Sequence, residues 1–175
     1  MNILNKLQNQ KMRGQGMVEF ALSLPILLVL ILGVIEAGRL LFVYSAVTTS
    51  SREAARYGSA SGSGGGTIVN YKDCDGIRAA AKRLGFMAGI QDDHIKIAYD
   101  QGPGGGEFAS CTTVFEITNP AISERVELGD RVVVKVRVPY QPIVPLVNFF
   151  GFTIESESVR TLVKDVPYKS SVNSD

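Results

Sequence analysis

Between Phe20 and Ile35 the chain carries no charged side chain, and apolar residues crowd the wider stretch from Met17 to Tyr44. No other feature constrains the fold as strongly. A helix over Met17–Ile35 is about 28 Å long at 1.5 Å per residue. That is close to the ~30 Å hydrocarbon core of a bilayer. A buried core helix in a soluble protein is the competing reading, and the charge order argues against it. The first fourteen residues hold Lys6, Lys11 and Arg13 and no acid. A basic segment before a long apolar one keeps the N-terminus in the cytoplasm and sends the remainder across. A secretory signal would have a shorter apolar core and a small-x-small cleavage site. Here the apolar character runs past Gly38 into "RLLFVYSAV" with no clear site behind it. The expectation is a retained, single-pass membrane helix with its C-terminal side extracytoplasmic. The net charge is +1 over 175 residues, which gives no global pull toward nucleic acid.

The chain divides into four parts by composition. Residues 1–14 read as a basic cytoplasmic leader. Residues 15–58 read as one long helix with its membrane span at about 18–40. Residues 59–66, "SASGSGGG", read as a flexible hinge, and 67–175 as an extracytoplasmic head. Past the span the helix turns amphipathic, with Leu40, Tyr44, Val47, Ser51, Ala54 and Gly58 on one stripe. Pro25 removes one helix hydrogen bond and should loosen the turn before it. A short second helix is expected over "DCDGIRAAAKRLGFMAG", capped by Asp73 or Asp75. Ile77, Ala80, Ala81, Leu84 and Ala88 would face inward and Arg78, Lys82 and Arg83 outward. Alternation then marks strands in "HIKIAY", "TTVFEIT" and "RVVVKVRVPY", and "FTIESESVRTLV" reads as a last, weaker strand with room for a bulge. Pro139, Pro142 and Pro145 make "PYQPIVPLVNFFGF" an apolar crossover rather than a central strand. The fold class is α+β: a long N-terminal transmembrane helix, then a small domain with a short helix and a mainly antiparallel sheet of three to five strands.

Candidate chemistry is sparse. Cys74 and Cys111 fall on the extracytoplasmic side, where a disulfide is permitted, and they lack CxxC spacing. The glycine runs "GSGGG" and "GPGGGE" match no phosphate-binding pattern and read as loops. His94 is the only histidine, with Asp92 and Asp93 beside it, and it lacks the companions of a catalytic or metal set. Asp73 and Asp75 do not complete a calcium loop. The expectation is therefore no catalytic residue, no metal, no cofactor and no enzyme activity. Glu36 and Arg39, spaced i, i+3, read as a local ion pair at the membrane exit or as a pair between subunits. Glu19 is the puzzle, because a carboxylate at the edge of hydrocarbon is costly. It can lie at headgroup level. Alternatively, a cut between Gly14 and Gln15 would give Gln15 a positive amine one helical turn from Glu19. Parallel helices offset along an axis would then bring the amine of one beside the carboxylate of the next.

A basic leader ending in glycine, then a glutamate five residues into an apolar helix, then an extracytoplasmic domain, resembles type IV prepilins. More closely, Gly14, Gln15, Val18, Glu19, Phe20, Ala21 and Pro25, with "REAARYG" at Arg52–Gly58, resemble the TadE-like family of tight-adherence (Tad or Flp) pili. A looser likeness runs through "VKVRVPYQPIVPL" to "VRTL". The resemblance implies a pilin-like fold and a prepilin peptidase cutting after Gly14. It also implies assembly of Gln15-started subunits with other pilin subunits by the Tad machinery. Glu19, Pro25, Glu36 and Arg39 would lie in the assembling helix. The precursor would sit in the cytoplasmic membrane and the product in an adhesive extracellular pilus, as a minor or major pilin. The rival is a signal-anchored binding domain that stays in the membrane.

Overall fold

The computed structural model describes residues 3–63, 68–111, 126–127, 129–143 and 151–163, with side chains from Gln15 onward. Helix α1 runs over Ile3–Ser59 and α2 over Cys74–Gly85. The strands are β1 (Ile95–Asp100), β2 (Glu107–Ser110), β3 (Arg131–Tyr140) and β4 (Phe152–Thr161). The chain forms two units: Met1–Leu41 with Pro142–Phe150, and Phe42–Gln141 with Gly151–Asp175.

The second unit is a head in which one antiparallel sheet, ordered β2-β1-β3-β4, is covered on one face by helices. Strand β3 is central because its alternation is the cleanest. Val132, Val134, Val136 and Val138 are buried, while Arg131, Lys135 and Arg137 occupy the opposite face with Val133. Register carries the pattern across: Ile97 pairs with Val134, and Val138 with Ile154. Each fully buried valine or isoleucine of this layer stabilises by roughly 1.5–3 kcal/mol. The outer face is an ion-pair ladder, with Lys135 on Glu155 and Glu157 and Arg137 on Glu155 at 2.6 Å. Such exposed pairs contribute about 0.2–1 kcal/mol each and mainly fix register.

The covering helices are the C-terminal part of α1 and all of α2. Val43, Val47, Ser50, Ser51, Ala54, Ala55 and Gly58 form the buried stripe of α1. The small residues allow close approach. A Cβ on Gly58 would lie 2.9 Å from the Ile77 side chain and 3.4 Å from Val132. Ser51 donates to the Thr48 carbonyl and meets the hydroxyls of Ser156 and Ser158 across the interface at 3.0 and 3.1 Å. Tyr44, expected on this stripe, is 57% exposed, and Val43 takes the inner position instead. Adjacent helical positions differ by only about 100°, so the phase of the stripe is set by packing.

Asp73 is the residue that caps α2, accepting from the Gly76 amide at 2.8 Å through one oxygen and from the Tyr57 hydroxyl at 2.8 Å through the other. That hydrogen bond to the Asp73 carboxylate raises the Tyr57 hydroxyl above its ordinary pKa. Two expectations for α2 are corrected. Leu84 is exposed, because Gly85 and Ile90 fill the space beneath the helix end. Arg78 is buried and not outward: it donates to the Cys111 carbonyl at 2.8 Å and pairs with Asp75 at 3.5 Å. Strand β2 emerges from the glycine-rich run read as a loop, whose Gly102 and Gly104 adopt positive φ to make the turn. The expected strand "TTVFEIT" and residues 144–150 of the apolar crossover lie outside the described residues, while Pro139 and Tyr140 end β3 and Phe152 begins β4.

Candidate functional site

The first unit holds most of the residues that the sequence singles out for assembly. From Gln15 to Ile35 every residue of α1 is exposed. Large side chains among them, such as Met17, Phe20, Ile26, Leu30 and Val34, are each more than 60% exposed. The helix is long and apolar enough to cross a membrane, with a mean hydropathy of 2.6 in its most apolar window and none of that window buried. A continuous apolar surface of this size requires an apolar environment, either lipid or other protein.

Glu19 lies on this surface and is exposed. Gln15 is four residues earlier in the same helix, which places the two backbones about 6 Å apart along the axis. Around Pro25 the helix stays continuous. Proline has no amide for the carbonyl of Ala21, and the adjacent turn is tightened by Ser23, whose hydroxyl donates to the Glu19 and Phe20 carbonyls at 2.9 and 3.2 Å. Sequence reasoning did not single out Ser23, although a hydroxyl two residues before an apolar-helix proline is a readable sign.

At the other end of the uncharged run, Arg39 donates to Glu36 at 3.3 Å, so these two form a local i, i+3 pair. The second oxygen of Glu36 accepts the backbone amide of Ile143 at 3.2 Å. That contact joins positions 107 residues apart. Nothing in local spacing announces it.

In the head, Cys74 and Cys111 form a disulfide with a Cα–Cα distance of 6.0 Å. It ties the first turn of α2 to the end of β2. His94 sits in a 3-10 turn, Asp92–His94, ahead of β1, and its Nδ1 accepts the Gln91 amide at 3.2 Å. An open hollow of about 270 Å³ beside it is lined by Asp93, Lys96, Lys135 and Arg137, with no serine, threonine or thiol nucleophile. Asp92 is engaged elsewhere, by Lys82 at 2.8 Å. Among the described residues no three His, Cys, Asp or Glu side chains gather as a metal ion would require. The head thus brings together a packed, cross-linked scaffold, and the residues expected to act in assembly are all on α1.

Comparison with known proteins gives one finding for α1. Residues 14–56 match the family model described as TadE-like protein. The match covers most of the helix, including much of the part that packs in the head, and ends before α2 and the sheet. No curated protein and no solved structure matches the chain.

Proposed function

We propose that this chain is a non-enzymatic structural subunit of a Tad-type, type IV-like pilus, working through α1. The observation that carries the reading is the coincidence of two things. The segment matching the TadE-like family contains the stretch whose apolar side chains are exposed from Gln15 to Ile35. In the precursor, lipid covers that surface. Lys6, Lys11 and Arg13 hold residues 1–14 in the cytoplasm, and the head lies outside. A prepilin peptidase cuts after Gly14. The new amine of Gln15 then seeks an acid, and Glu19 of a neighbouring copy provides one. Two charges that are costly singly in an apolar medium neutralise each other when paired.

Assembly exchanges lipid for helix packing, so its driving force is close packing and polar pairing rather than removal of apolar surface from water. Pro25 gives the helix a turn that can loosen as it is drawn from the bilayer. Glu36 and Arg39 neutralise each other beyond the apolar run, so this end presents no uncompensated charge when helices bundle. The disulfide-braced head remains outside, where adhesion takes place.

The test is a surface-shear fractionation of producing cells, with and without prepilin peptidase. The chain is expected in the sheared filament fraction only when the peptidase is present. A chain that stays wholly in the membrane fraction in both strains is a signal-anchored domain, and the proposal falls.

A further inference from the structure

The outer face of the sheet segregates its charges. Lys96 lies on β1, and Lys135 and Arg137 on β3, the two inner strands. Their acid partners Glu107, Glu155 and Glu157 stand on the flanking strands β2 and β4. Lys96 and Lys135 are directly opposite each other in register. Like charges in that position work against strand pairing. The flanking acids thus steady a cationic stripe that the sheet alone would disfavour.

The stripe borders the open hollow of about 270 Å³ beside His94. His94 comes one position before Ile95, whose partner is Val136, and so reaches the level of Arg137. Its Nδ1 accepts the Gln91 amide, which puts the proton of the neutral ring on Nε2. The Asp93 carboxylate is 3.9 Å from that nitrogen, too far for a hydrogen bond. Arg137 uses its Nε on Glu155, and Lys96 makes one contact, to Glu107. Guanidinium and ammonium groups carry more N–H donors than these contacts use. Donors from two strands and a turn therefore converge on one hollow, and the terminal edge of a guanidinium matches a planar carboxylate. Lys96 and Lys135 also line a smaller hollow of about 140 Å³, with Ala98 and Val133 beneath and Asp100, Glu107 and Glu157 around it. Its acids repel an anion, and its apolar floor suits an uncharged ring.

The geometry points to an acidic glycan as the ligand of this face. The carboxylate of a uronate enters the hollow at His94, Lys96, Lys135 and Arg137, and an uncharged neighbouring sugar covers Ala98 and Val133. A protein partner would call for an apolar core at the contact. The larger hollow offers none, since every described side chain lining it is charged except His94. The inference goes beyond the pilus reading and depends on neither cleavage nor polymerisation.

The test is isothermal titration calorimetry of the full chain, disulfide intact, in detergent micelles. The probe is a tetrasaccharide of alternating glucuronate and N-acetylglucosamine. The comparison ligands are the same tetrasaccharide with its carboxyls reduced to alcohols, tetraglutamate, and inorganic sulfate. Saturable binding of the acidic tetrasaccharide is expected, about tenfold weaker in Arg137→Gln and in Lys96→Gln. Both side chains are exposed on the sheet face, so the head should keep its fold, as near-UV circular dichroism verifies. Arg56→Gln removes an exposed cation from α1 instead and should leave binding unchanged. No binding of the acidic probe, equal binding of the reduced probe, or equal weakening in Arg56→Gln overturns the inference. Tetraglutamate binding as tightly assigns the face to an acidic peptide, and sulfate binding as tightly makes it a simple anion site; either result also overturns it. All of these outcomes leave the pilus reading intact, because none of them probes cleavage or assembly.

Discussion

Reducing the Cys74–Cys111 bond should destabilise the head by about 4 kcal/mol. The two cysteines are 37 residues apart in sequence. Closing a loop of that size removes about 13 cal/mol/K from the unfolded chain, which is about 4 kcal/mol at 25 °C. Reduction is a better perturbation than substitution here. Cys74 and Cys111 are 2% and 6% exposed, so a serine would add the separate cost of burying a hydroxyl. Folded-state contacts should change little, since Arg78 reaches the Cys111 carbonyl and not its sulfur, and the one hydroxyl near that sulfur, on Tyr99, is 3.9 Å away and donates to the Tyr71 carbonyl. The assay is urea unfolding of the full chain in detergent micelles, oxidised and reduced, followed by near-UV circular dichroism of tyrosine. Tyr99 is a suitable reporter: it is fully buried, its hydroxyl donates to the Tyr71 carbonyl at 2.6 Å, and burial pushes its pKa well up. With a urea slope near 2 kcal/mol/M, the midpoint should fall by about 2 M. Equal midpoints, with reduction verified by thiol titration, would refute the argument that this cross-link constrains the unfolded head.

Three other outcomes are expected. Asp100 accepts from Arg131 at 2.6 and 2.7 Å and from the Gly102 amide at 3.1 Å, and the guanidinium holds its carboxyl below the ordinary value of 3.8. The stability this gives is present above that ordinary value and is lost as pH falls through the lower folded value. Asp100→Asn should cost about 1–3 kcal/mol at neutral pH and flatten the acid limb of a stability–pH profile; a profile parallel to the parent's would contradict this. Gly58→Val should cost about 1–3 kcal/mol, because its side chain enters space already held by Ile77 and Val132; an unchanged urea midpoint would show that the interface yields freely. Glu19→Ala should leave membrane insertion intact and sharply lower the yield of sheared filaments. A normal yield would remove the proposed amine–carboxylate pairing.

Where a single period dominated, the fold was legible. The alternation of β3 survives intact because the strand lies inside a sheet with one wet face, while in the edge strand β4 it holds only over Thr153–Glu157 with Ser158 and fades in the exposed end. The uncharged run of α1 is legible because nothing else places so many apolar residues in line. Local pattern failed where a distant group set the outcome. Arg78 looked like a solvent-facing cation, yet the Cys111 carbonyl, brought close by the disulfide, draws it inward. Strand β2 is four residues long and follows a glycine-rich turn, too short for alternation to register. In the candidate site, the Glu36–Arg39 spacing was readable from helix geometry alone. The Ile143 amide on Glu36 was not, because it depends on how the chain returns after β3.

The central claim is that α1 serves first as an anchor and then, with a newly freed amine at its tip, as the packing element of a polymer. The most direct measurement is the intact mass and N-terminal sequence of the chain recovered from sheared surface filaments. The account predicts a chain that begins at Gln15, lacking the fourteen residues from Met1 to Gly14. A filament-borne chain that still begins at Met1 would contradict it, since Glu19 would then have no freed amine to meet.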